Sequence, residues 1–188
     1  MANQGTAVRA RRGNRWRAVG WGIALGLVLA PLAAMQFTSD VNWTASDFLF
    51  AMVAFGSVGI GIELAARLQN RAFTMAVAVA LLASLLQIWI AAAVGIIGHE
   101  NEDANLLFLG VVAAALAGSS IALFRPRRMA VAMVVTAAAQ LAVPVVAPMF
   151  GDSTTDAIWA REVVILTIVL TAMWLVSARL FQTAAKAA

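Results

Sequence analysis

The chain has 188 residues, of which 63% are hydrophobic and 12% charged, about half the charged share of a soluble domain, which is near 25%. Its mean hydropathy of +0.90 argues against a soluble fold, and the absence of cysteine excludes disulfides, thiolate metal centres, iron–sulfur clusters and cysteine nucleophiles. A single histidine excludes a haem held by two histidines of this chain, and the formal net charge of +4 implies a nucleic-acid partner only if the basic residues form a face for one.

Apolar runs of about 18 residues or more are long enough to cross a hydrocarbon core. Six are predicted, at 16–37, 47–68, 72–98, 105–124, 129–150 and 156–181. Every backbone polar group in lipid must be paired internally, so each run is read as a helix and the fold as an all-α, polytopic membrane bundle. Residues 1–15 form a basic tail, 16–182 a six-helix transmembrane domain and 183–188 a second short tail.

The tail and first span carry Arg9, Arg11, Arg12, Arg15 and Arg17. An apolar core of about 20 residues is longer than the 7–15 of a signal peptide, so the span is expected to be retained. Gly22, Gly26 and Ala30 recur every four positions, as do Ser57 and Gly61 in the second span. Such spacing lets helix backbones approach closely and marks helix-packing faces. Between these spans, Thr44 with Asp47 fits a capping box; Ser153 with Asp156 does so before the sixth span, and Asp103 or Asn105 is placed to cap the fourth. Glu63 is the acid within a span, with Arg67 four residues on in the favourable order for a helix ion pair.

The third span places Gln87 near the bilayer centre and the fifth places Gln140 there, with Ser84, Ser119, Ser120 and Thr136 at comparable depth. Pro144 removes the amide that would pair with the Gln140 carbonyl, and Pro148 does the same to Pro144, so the outer half of the fifth helix is expected to bend. Pro126 is expected to stop the fourth helix. Trp16, Trp21, Trp43, Trp159 and Trp174 fall near predicted interfaces, whereas Trp89 lies deeper. Gln36, Gln87 and Gln140 are spaced about 50 apart, but their unequal depths do not support an internal repeat.

The connectors sort by charge. Arg67 and Arg71, then Arg125, Arg127 and Arg128, then Arg179 and Lys186 share the side of the basic tail. Asp40, Asp47, Glu100, Glu102, Asp103, Asp152, Asp156 and Glu162 gather on the other, with Arg161. The positive-inside rule then places both termini in the cytoplasm, and six crossings return the chain to that side. The arginines face anionic lipid, each worth about 1 kcal/mol, which makes nucleic acid unnecessary as a partner.

Between the third and fourth spans His99, Glu100, Glu102, Asp103 and Asn105 form a candidate outer-loop site. Imidazole with carboxylates suits a divalent metal, but no HExxH, second histidine or fixed ligand spacing accompanies them, so no metal or cofactor is assigned. The segment "AVGIIGHENEDANLLF", 93–108, preceded by "LLQIWI", resembles one in a family of small, functionally uncharacterised bacterial inner-membrane proteins with the pattern G-I-I-G-x-E, a short gap, then A-N-L and an apolar pair. Gly95, Gly98, Glu100, Ala104, Asn105 and Leu106 match it. The resemblance spans these 16 residues and implies several helices in a bacterial inner membrane; it carries no activity.

Tiny loops and few buried ionisable groups favour a non-enzymatic subunit, scaffold or assembly component, working through helix contacts with a membrane-protein partner or a second copy. The alternative is a small transporter or channel whose polar path runs along Glu63, Gln87, Thr136, Gln140 and Pro144. An outer-face enzyme or metal site at His99 is a third reading.

Overall fold

A computed structural model describes residues 4–68, 70–93, 105–149 and 157–187, with side chains at 16–67, 70–91, 105–149 and 161–187. The described secondary structure is helical throughout: α1 (Gln4–Ala34), α2 (Ala45–Leu68), α3 (Arg71–Ala93), α4 (Leu106–Ile121), α5 (Pro126–Val146) and α6 (Ala157–Lys186), with a single 3-10 turn at Ala147–Met149. Five of the helices are long and apolar enough to cross a membrane. The chain divides into two compact units, Met1–Ile60 and Gly61–Ala188.

The first unit holds α1 and most of α2. Helix α1 begins well before its apolar run, taking the basic segment into the same helix, because the Ala and Arg of that segment are strong helix formers and outweigh Gly5 and Gly13. Its large side chains, Trp16, Val19, Ile23, Leu25, Leu27, Leu29 and Leu32, are exposed, as suits lipid rather than water. Trp21 lies flat enough over Gly59 that a β-carbon there would come within 2.9 Å of the ring. The start of α2 is capped as expected in one direction: the Thr44 amide donates to Asp47 Oδ2 at 2.7 Å. The Thr44 hydroxyl turns to the same carboxylate oxygen, at 2.8 Å. Trp43 closes the turn edge-on against Phe48, with centroids 5.3 Å apart.

In the second unit α3 packs on α4, α4 on α5, α5 on α6 and α6 on α3, closing a four-helix ring. Asn70 caps α3 by accepting from the Phe73 amide at 2.9 Å, and ties it to α6 by donating to the Ala184 carbonyl at 3.1 Å. The buried stripes explain the ring. On α5 they fall at Met129, Met133, Thr136, Gln140, Val143 and Ala147, and on α6 at Val163, Thr167, Leu170, Trp174, Ser177, Phe181 and Ala184. Alternating steps of four and three make a 3.5-residue repeat, which keeps one face turned toward the partners of a left-handed bundle. The opposite faces, with Val131, Val135 and Leu141 on α5 and Ile165, Ile168 and Val176 on α6, are exposed and equally apolar. A helix apolar all round belongs in a membrane or a large core.

Two expectations are corrected. The fourth run forms a helix of 16 residues, about 24 Å long, because Leu123 and Phe124 take positive φ, 50° and 55°, and reverse the chain. Arg125 is then extended and Pro126, which lies just past the end of α4 as expected, opens α5, as the restriction on a residue preceding proline requires. Trp174, expected at an interface, is wholly buried. Helix α6 runs on to Lys186, so the indole lies about 18 Å from its end.

Candidate functional site

The interior of the second unit is not uniformly apolar. Gln87 on α3, Thr136 and Gln140 on α5, and Thr167, Thr171 and Ser177 on α6 are buried. Some of their groups are paired. Gln87 Nε2 donates to the Phe108 carbonyl of α4 at 2.6 Å, Ser177 Oγ to the Ala76 carbonyl of α3 at 2.9 Å, and Thr136 Oγ1 to the Ala132 carbonyl of its own helix at 2.9 Å. Others are not. Gln87 Oε1, both polar atoms of the Gln140 amide, Thr167 Oγ1, Thr171 Oγ1 and Trp174 Nε1 are buried without a hydrogen-bond partner among the described residues. A buried polar group left unpaired costs about 1–3 kcal/mol, so a cluster of them carries a meaning that a single one does not.

The contacts between helices place them at one level. Along α3 and α6 the pairs are Asn70 with Ala184, Phe73 with Phe181, ring centroids 5.1 Å apart, and Ala76 with Ser177. The antiparallel register continued from these pairs sets Gln87 beside Thr167. Between α4 and α5, a β-carbon at Gly118 would come within 3.0 Å of the Ala132 methyl. That register carries Phe108 to the level of Ala142, within a turn of Gln140. Gln87, the Phe108 carbonyl, Gln140 and Thr167 thus lie near one level of the four helices, and Thr171 and Trp174 follow one and two turns along α6. The level lies about 15 Å from the N-terminal end of α6.

A cleft of about 660 Å³ flanks the same level, between Leu106, Leu107, Gly110 and Val111 of α4 and Ala139, Ala142, Val143 and Val146 of α5. Its wall is apolar, and the two stretches that line it contain Phe108 and Gln140. Pro144 is partly buried inside α5. The α-helix persists through it, and the expected irregularity falls after Val146, in the 3-10 turn that holds Pro148. Having no amide, Pro144 cannot pair with the Gln140 carbonyl, which adds an acceptor at this level.

The remaining sequence candidates are placed elsewhere. Glu63 pairs with Arg67 at 2.5 Å on α2, a helix that contributes none of the buried polar side chains among the described residues. Gly22 and Gly26 on α1 have open space where a side chain would be, whereas Gly61 is covered by Leu81, whose Cδ1 would stand 2.7 Å from an added β-carbon. Ser57 is exposed and donates to the Ala54 carbonyl at 2.9 Å. Asn105 is buried at the start of α4, where its side chain makes no capping hydrogen bond, so the cap expected of it is not formed. His99, Glu100, Glu102 and Asp103 lie outside the described residues, as do Ser153 and Asp156. Among the described residues no group of three or more His, Asp or Glu side chains is arranged to hold a metal ion.

Thr167 and Thr171 were not singled out by sequence, and Trp174 was read only as an interface residue. Their signal is the 3.5-residue spacing of α6, in which polar Thr167, Trp174 and Ser177 alternate with Leu170 and Phe181 on one face. Comparison with protein-family models, with curated proteins and with solved structures found no match.

Proposed function

We propose that the chain is a six-span protein of a bacterial inner membrane, with both termini cytoplasmic, and that its four-helix unit admits a small polar solute to the level of Gln87, Gln140 and Thr167. The observation that carries the solute reading is that α3, α5 and α6 each bury polar groups without a hydrogen-bond partner among the described residues. In a bundle serving only to pack, apolar side chains of the same volume would hold the helices at least as well. Intramembrane polar groups are costly and mark pathways more often than they act as glue. Exposed Arg71, Arg125, Arg127, Arg128 and Arg179 hold the opposite role, anchoring the cytoplasmic face to anionic lipid.

The absence of native cysteine makes the test direct. Single cysteines at positions 87, 140 and 167 are expected to react with a water-soluble thiol reagent in native membranes, while one at Leu170, buried on the same stripe, stays unlabelled. If all four resist the reagent from both sides, the level is a dry seam and the solute reading fails.

A second reading, a non-enzymatic subunit or scaffold acting through helix contacts, is favoured by α1. Gly22 and Gly26 offer a close-approach face with nothing on it, whereas Gly59 and Gly61 are filled by Trp21 and Leu81. Cysteines at 22 and 26 are then expected to cross-link to a second copy or to a copurifying membrane protein in mild detergent. A clean monomer with neither product would remove this reading.

A further inference from the structure

We infer that the level formed by Gln87, Gln140 and Thr167 selects a small uncharged molecule bearing both N–H or O–H donors and an acceptor oxygen, the chemistry shared by urea and glycerol. The inference rests on the solute reading above and adds the class of solute.

The polar groups themselves set the class. With its Nε2 already committed to the Phe108 carbonyl, Gln87 offers Oε1, which only accepts. The Gln140 amide both donates and accepts, and the Thr167 hydroxyl does either. A cation would be met by the oxygens and repelled by the Gln140 N–H group, and an anion would meet the reverse. A molecule that donates at one edge and accepts at another satisfies all of them together.

Charge argues in the same direction. Among the described residues the buried polar side chains are amides and hydroxyls, with no ionised group. A buried charge needs a paired charge or a full set of oriented dipoles to offset its desolvation. The cleft beside the level is walled by Leu106, Leu107, Val111, Ala142, Val143 and Val146. An ion passing those side chains would shed its water with nothing in exchange, whereas a neutral molecule of a few heavy atoms loses far less.

The experiment uses the full chain reconstituted in liposomes, with light scattering after an osmotic step in urea or glycerol and a potassium-sensitive dye in parallel. Urea or glycerol is expected to cross at least about tenfold faster than through protein-free liposomes, with potassium at background. Gln140→Leu is expected to lower that rate about tenfold, as loss of one good hydrogen bond does, and Thr167→Val to lower it while keeping the volume. Both variants should match the wild type in elution and thermal melting, because each removes an unpaired polar atom from the interior and keeps the bulk. Val135→Leu, on the exposed face of α5, should change nothing.

Potassium flux without urea or glycerol flux would overturn the class of solute and leave the passage reading intact. Equal neutral-solute flux in wild type and both interior variants would overturn the site. Background rates for every solute would overturn the passage reading itself, and the class with it.

Discussion

Gly61 and Gly118 look alike in sequence, each a small residue inside an apolar helix, yet their surroundings differ in a way that predicts different costs. A β-carbon at Gly61 would meet the far end of Leu81, 2.7 Å away, and a leucine has other rotamers to adopt. At Gly118 the same atom would meet the Ala132 methyl at 3.0 Å with the Ala132 Cα at 3.7 Å behind it, and alanine has no rotamer by which to retreat. Accommodation there requires α4 and α5 to move apart. Gly118→Ala is therefore expected to destabilise by about 1–3 kcal/mol, the usual range for overpacking, and Gly61→Ala by less than about 1 kcal/mol. Thermal unfolding in detergent reads both. Ala132→Gly should restore much of the Gly118→Ala loss, and the explanation fails if the two alanine variants melt alike.

At the scale of elements, the existence and order of the helices were legible because length and hydropathy alone announce a membrane helix. Their inward faces were not. In a soluble protein the polar outer face of a helix points to the core by contrast, but here Val131 and Val135 outside α5 are as apolar as Met133 and Val143 inside it. With that contrast gone, depth became the remaining guide, and depth served Gln87 and Gln140 because a glutamine deep in a span is conspicuous anywhere. It missed Thr167 and Thr171, since threonine back-bonds readily to its own helix in lipid and attracts no notice. It misplaced Trp174 because the apolar run was read as stopping at Phe181, while the helix continues through Thr183 and Ala184 to Lys186. The capping boxes show the same division. Thr44 and Asp47 meet as their spacing foretold, since both lie within one turn, but Asn105 is drawn into the interior and its burial overrides the local pattern.

For the whole molecule, the proposed topology turns on α4. Its 16 residues fall about 6 Å short of a hydrocarbon core about 30 Å thick, and a helix that failed to cross would reverse the orientation of α5 and α6. A mismatch of this size costs a fraction of a kcal/mol per Å, which thinning of the bilayer or snorkelling of flanking side chains absorbs. Arg125, Arg127 and Arg128 stand at the end of α4 to do so, next to exposed Ile121, Leu123 and Phe124. Failure to cross would instead move those three arginines to the side holding Asp40 and Asp47, and with them reverse the ends of the α5–α6 pair, against the charge bias that orients membrane helices. Crossing is the smaller penalty. Single cysteines at positions 40, 102 and 152 are accordingly expected to react with a membrane-impermeant thiol reagent added outside intact cells, and cysteines at 127 and 187 only after the membrane is opened. Labelling of 102 and 127 from the same side would mean that α4 does not cross. The proposed orientation of α5 and α6, and of any path between them, would then have to be reversed.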